Sequence, residues 1–154
     1  MSLWVIPVRM APAEVFVQAD KQDVFHVLTP FLGSASLEGP RVLAHEPSGA
    51  LLVEFQTTVT GLFGRRKTHR TIEKVVLHVP DAIEFAGVEG PLALLRDRIS
   101  LTAEGLGTRV RYESTVGLPG SVFGWLLVRL YVKPVLQRFM RGHLLQLKAR
   151  LEPA

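Results

Sequence analysis

The last third of the chain does most to limit what it can fold into. Residues 118–151 carry a continuous helical pattern, and it follows a run of alternating, strand-like segments. A helix with an apolar stripe must bury it, and here the available partner is the sheet those segments would form. The stripe is Leu136, Met140, Leu144, Leu147 and Leu151, at three- and four-residue spacing, with Gln137, Arg138, Arg141 and Lys148 on the wet side. Pro134 has no N–H for the Leu130 carbonyl, so a kink is expected there. A sheet that curves around a helix without touching it everywhere leaves a hollow between them. Ligand holding is therefore the first functional expectation.

The segments before the helix read in order. Residues 13–19 alternate as a strand, with Val15 and Val17 on one side. Asp20 follows as a helix N-cap, and Val24, Phe25, Val27, Leu28 and Phe31 make a short amphipathic helix that Pro30 splits in two. After a Gly/Ser/Pro loop at 33–40 come a short strand at 41–46 and a long one at 50–60. Leu51, Val53 and Phe55 share one face of the long strand, while Glu54 and Gln56 share the other. Residues 65–79 return, basic at first and apolar from Val75. Ile83 and Phe85 mark the next strand. In residues 92–103, Leu95, Asp97, Ile99 and Leu101 face one way and Arg96 and Arg98 the other. The hairpin turn at 104–107 leads to a strand with Val110, Tyr112 and Ser114 inward. Short connections make the sheet antiparallel, and one charged face means that only the other is covered.

The 154 residues are read as one domain, with residues 1–11 as an extension ahead of it. There is no cysteine, which excludes disulfides and thiol catalysis and is compatible with a reducing cytoplasm, the expected location. The start of the chain lacks the pattern of a signal peptide. The longest apolar stretch, 118–132, contains Arg129 and falls short of the roughly 20 residues of a spanning helix. A net charge of +4 does not demand nucleic acid, and the basic residues are not interleaved with aromatic stacking platforms, so no nucleic-acid partner is expected.

Two stretches carry a family likeness. Val15-Phe16-Val17-Gln18-Ala19-Asp20-Lys21-Gln22-Asp23-Val24-Phe25-His26-Val27-Leu28 has the form of a first strand and helix. Gly107-Thr108-Arg109-Val110-Arg111-Tyr112-Glu113 has the form of a last strand before a long helix. With the order of elements, these resemble the START and birch-pollen-allergen superfamily (SRPBCC), and most closely its polyketide cyclase/dehydrase and lipid-transport-like branch. The resemblance implies an α+β helix-grip fold: a curved seven-stranded antiparallel sheet wrapped around a long C-terminal helix, with two short helices after the first strand. It also implies an apolar cavity between sheet and helix for a hydrophobic or polycyclic small molecule or lipid. An aromatase/cyclase-type enzyme is the alternative it permits.

The cavity is expected to be lined by Val53, Phe55, Phe85, Leu95, Asp97, Ile99, Tyr112, Ser114, Trp125 and Met140. Asp97 and Tyr112 are the catalytic candidates. By alternation Asp97 points inward as a polar anchor or acid/base, and a buried carboxylate needs a partner such as Tyr112. A bulge near Leu94 would instead put Asp97 on the surface. Tyr112 and Ser114 can hydrogen-bond a ligand, or be satisfied by the backbone. The five histidines form no metal-type pair, there is no Gly-x-Ser-x-Gly elbow and no phosphate loop, so neither a metal nor another cofactor is expected. Leu62, Phe63, Arg65, Arg66 and Lys67 combine apolar residues with cations at a hairpin tip. They suit transient contact with an anionic membrane, or are an ordinary solvated turn. Residues 122–128 are apolar almost all round, a surplus for a ligand, a membrane or a second copy in a homodimer. Access to the cavity is expected where 118–134 meets the Phe63 hairpin or the 87–91 loop.

Overall fold

Alternation along the middle of the chain produces long antiparallel strands, and their inward halves supply the core. The structure, a computed structural model, describes residues 5–32, 40–60 and 63–152. Its elements are β1 (Val8–Arg9), β2 (Ala13–Val17), α1 (Lys21–Leu28), a 3₁₀ turn (Pro30–Leu32), β3 (Arg41–His45), β4 (Leu51–Thr60), β5 (Arg66–His78), β6 (Ala82–Glu89), β7 (Leu94–Glu104), β8 (Gly107–Gly117), α2 (Ser121–Leu127), a π-helical turn (Val128–Val132) and α3 (Lys133–Leu151).

The strands form one antiparallel sheet in the order β1-β8-β7-β6-β5-β4-β3, with β2 also on the outer edge of β8. Among the described residues the count is eight where seven were expected. The extra strand lies in the stretch read from sequence as an extension: Val8 pairs with Val116, and Met10 is buried with its N–H on the Ser114 carbonyl. Pro7 and Pro12 flank it and broke the pattern in the sequence. The hairpin between β7 and β8 turns on Gly105, whose φ of 58° suits glycine. Gly107 opens β8 where a Cβ would lie 2.4 Å from the Val17 carbonyl, so a larger residue would push β2 away.

One face of the sheet is the core. Val17, Val53, Val75, Ile83, Val110 and Val116 are fully buried on it. Asp20 caps α1 by accepting the Asp23 N–H at 3.0 Å, and Val24, Phe25 and Leu28 face the sheet. Met140, Leu144 and Leu147 of α3 close the core from the other side. The far end of α3 is tied to β2: Lys148 Nζ donates to the Phe16 carbonyl at 2.7 Å, and Glu152 accepts the Gln18 N–H at 2.6 Å.

The sequence placed the helix interruption at Pro134. The structure resolves it as a widened turn just before the proline, where the Lys133 N–H bonds to the Val128 carbonyl, five residues back. With Pro134 unable to donate, the extra residue is absorbed in this π turn. Val128 is buried beneath it, while Val122, Phe123, Leu126, Leu130 and Tyr131 stay exposed. No helix among the described residues is long and apolar enough to cross a membrane.

Candidate functional site

The sheet and α3 do not meet everywhere. Between them lies a chamber of about 320 Å³. This is at the small end of the range that holds small molecules.

Its apolar lining is aromatic. Phe31 from the 3₁₀ turn meets Phe55 of β4 edge to face at 6.0 Å, and Phe55 meets Phe85 of β6 at 6.1 Å. Leu95 and Ile99 of β7 and Leu136, Phe139 and Met140 of α3 continue the wall. The polar groups come from three strands of the same sheet wall, where Asp97 is the cross-strand partner of Phe85 and Thr71 that of Phe55. Asp97 on β7 accepts the Tyr112 hydroxyl at 2.8 Å and the Ser114 hydroxyl in a short bond. The register makes this possible, since Asp97 faces Ser114 across the β7–β8 ladder and Tyr112 is two positions along on the same face. Glu73 on β5 is 8% exposed and accepts the Thr71 hydroxyl at 3.2 Å. The inward residue opposite Glu73 on β6 is Gly87, which adds no side chain there.

Desolvation dominates these groups. Burial and the neighbouring Asp97 charge push the Glu73 carboxyl up to about 7, against a smaller lowering by Thr71. Burial raises Asp97 too, opposed by the hydrogen bonds from Ser114 and Tyr112. Burial, then the Asp97 charge and hydrogen bond, holds the Tyr112 hydroxyl well above its ordinary range, so it stays a donor. His143 of α3 stacks edge-on against Tyr112 at 6.3 Å and beside Phe139 at 6.2 Å. Desolvation and the Arg150 charge lower its pKa, which keeps the ring neutral near pH 7.

Of the residues expected around the cavity, Phe55, Phe85, Leu95, Asp97, Ile99, Tyr112, Ser114 and Met140 lie on its lining. Two are placed elsewhere. Val53 faces inward but is sealed in the core. Trp125 packs at the edge of the core with the Arg129 guanidinium 5.2 Å from its ring centroid, since α2 precedes the part of the helix that spans the chamber. Sequence reasoning missed Glu73, Thr71 and His143. From sequence His69 can face the pocket mouth, but solvation is the simpler reading, and the structure places it on the lining. Of these, Glu73, Thr71 and His69 belong to β5 and share the parity of Val75 and Leu77, but the basic first half of that strand hid the alternation.

At the hairpin tip Phe63 is 92% exposed, and Arg65, Arg66 and Lys67 are exposed beside it; Leu62 lies outside the described residues. Among the described residues no group of three or more His, Cys, Asp or Glu is placed to hold a metal ion.

Residues 11–152 match the profile of the family described as polyketide cyclase / dehydrase and lipid transport. No curated protein matches the sequence. Among solved structures, the fold is similar to that of TTHA0849 from Thermus thermophilus, at 24% identity and TM-score 0.71, covering 94% of this chain and 97% of that one. It is also similar to a START superfamily protein from Mycobacterium smegmatis, at 16% identity and TM-score 0.66, covering 94% and 97%. A third is BexL, a di-domain ARO/CYC from the BE-7585A biosynthetic pathway, at 21% identity and TM-score 0.68. There the match covers 96% of this chain and 51% of that one.

Proposed function

The chain belongs to the polyketide cyclase/dehydrase and lipid-transport family, and from that premise we propose that it binds a hydrophobic small molecule or lipid in the chamber between sheet and α3. One observation carries the proposal: the space of about 320 Å³ is walled by Phe31, Phe55, Phe85 and Met140, with a few polar side chains of the sheet set among them. Binding would come from burying apolar ligand surface at about 25 cal/mol per Å², less the cost of association. The aromatic rings would set the shape of the ligand's body, and the Asp97–Tyr112–Ser114 cluster would set its orientation.

Native mass spectrometry of protein purified from cell extract tests this. The expected result is a co-purifying mass that disappears in Leu95→Trp, whose larger side chain fills the space. A bare protein mass in both, with no uptake of added apolar compounds, would contradict it.

A second reading, an aromatase/cyclase-type enzyme, is favoured by the placement of Glu73 beside Asp97 and Tyr112. The chamber would hold a reactive chain in one conformation, and a carboxyl titrating at about 7 can both accept and return a proton near neutrality. Asp97→Asn and Tyr112→Phe separate the readings. A carrier keeps its affinity for an uncharged apolar probe such as decanol in both variants, whereas an enzyme loses turnover. The exposed apolar residues of α2 and the Phe63 tip with its cations suit a third role, brief contact with an anionic membrane or a second copy of the chain. Vesicle sedimentation of Phe63→Ser with Arg66→Glu checks it, and binding equal to that of the unaltered protein removes it.

A further inference from the structure

Two carboxyl groups in an apolar chamber either hold a proton or take a counter-charge, and the described residues provide no Lys or Arg inside it. Among the residues lining the chamber the sole Lys or Arg is Arg150, which is exposed and exerts its Coulombic effect on His143. The other titratable groups facing Glu73 and Asp97 are Tyr112 from β8, His69 from β5 and His143 from α3. Tyr112 is a neutral donor already committed to Asp97. Glu73 is more than nine-tenths buried and lines the chamber, and among the described residues only Thr71 bonds to it, through one of its two oxygens. The other oxygen is free to take a donor from inside the chamber.

We infer that the chamber's ligand is a cationic amphiphile, an apolar body carrying a protonated amine that seats at Glu73 and Asp97. This rests on the carrier reading above and names its ligand class. An ammonium group offers up to three N–H donors, enough to bond the open Glu73 oxygen and the outer side of the Asp97 carboxylate together. It also brings the positive charge that the buried pair lacks, in a site where charges are poorly screened. A fatty acid would add a third anion there. An alcohol would donate one hydrogen bond and leave the charge uncompensated. Seating an ammonium favours the ionised form of Glu73, so binding near neutrality should release part of a proton to solvent.

Isothermal titration with decylamine, decanol and decanoic acid, which differ in the polar head, tests the inference. Decylamine is expected to bind about ten-fold or more tightly than decanol, and decanoate to bind weakest. Comparing binding enthalpies in phosphate and Tris near pH 7 should reveal proton release with decylamine and none with decanol. Glu73→Gln should abolish the proton release and most of the preference. Asp97→Asn should reduce the preference while the decanol affinity stays. Equal binding of amine and alcohol, or preference for the acid, would overturn the inference and leave the carrier reading standing. Failure of all three to bind would overturn both.

Discussion

On the outer face of the sheet, the carboxylates of the central strands sit beside cations. Glu54 is held by Arg70 at 2.9 Å and Arg41 at 3.3 Å, Glu104 by Arg109 at 2.6 Å, and Glu113 by Arg111 at 2.7 Å; Glu84 pairs with Arg98. Their cations lower the pKa values of Glu54, Glu104 and Glu113. On the inner face, Glu73 and Asp97 have hydroxyl donors and no cation, and burial raises both. Similar side chains on one sheet therefore titrate in opposite directions. The outer pairs are in water, where such contacts contribute little to stability. The inner pair is held against a desolvation cost that no cation offsets.

This contrast can be tested from the largest effect down. Leu144 and Leu145 are neighbours on α3, one at 2% exposure and the other at 55%. Leu144→Ala is expected to cost about 2–5 kcal/mol in urea unfolding, through lost burial and a cavity. Leu145→Ala should leave the midpoint near that of the unaltered protein, and equal losses would mean that the helix is seated differently.

The next effect has an opposite sign. Glu73 has a folded-state pKa of about 7 against an ordinary value of 4.5. Folding then holds a proton that the unfolded chain gives up, so the contribution of Glu73 to stability is most favourable below about pH 4.5 and falls as pH rises to about 7. Glu73→Gln should remove that fall and make the protein more stable, by up to about 3 kcal/mol at about pH 8. A stability difference that does not change across this window would show that the carboxyl is not desolvated. Tyr112→Phe takes one of two donors from Asp97 and is expected to cost about 1–2 kcal/mol near neutral pH, where Asp97 is to be kept ionised. Glu104→Gln, on the outer face, should not move the unfolding midpoint measurably. A loss as large as that of Tyr112→Phe would erase the distinction between the two faces.

Much of this arrangement could be read from alternation. Leu95, Asp97, Ile99 and Leu101 share a parity, as do Val110, Tyr112 and Ser114, and both sets face inward. The long helix and its stripe were equally legible, because Met140, Leu144 and Leu147 recur at the helical period. Glu73 was not, since its strand begins in a run of cations and projects past β6 before it enters the sheet's centre. Strand β1 was hidden by its two-residue length and flanking prolines. The exclusion of Val53 and Trp125 from the chamber depends on how the helices come to rest over the sheet, which no local pattern encodes.

Residence of an apolar molecule inside the chamber is the claim on which the rest depends. Methyl NMR during titration with decanol tests that directly. Shifts should concentrate on the Met140, Leu95 and Ile99 methyls, with ligand contacts to Phe55 and Phe85. Shifts confined to the exposed Val122, Leu126 and Leu130, with the inner methyls unmoved, would contradict it.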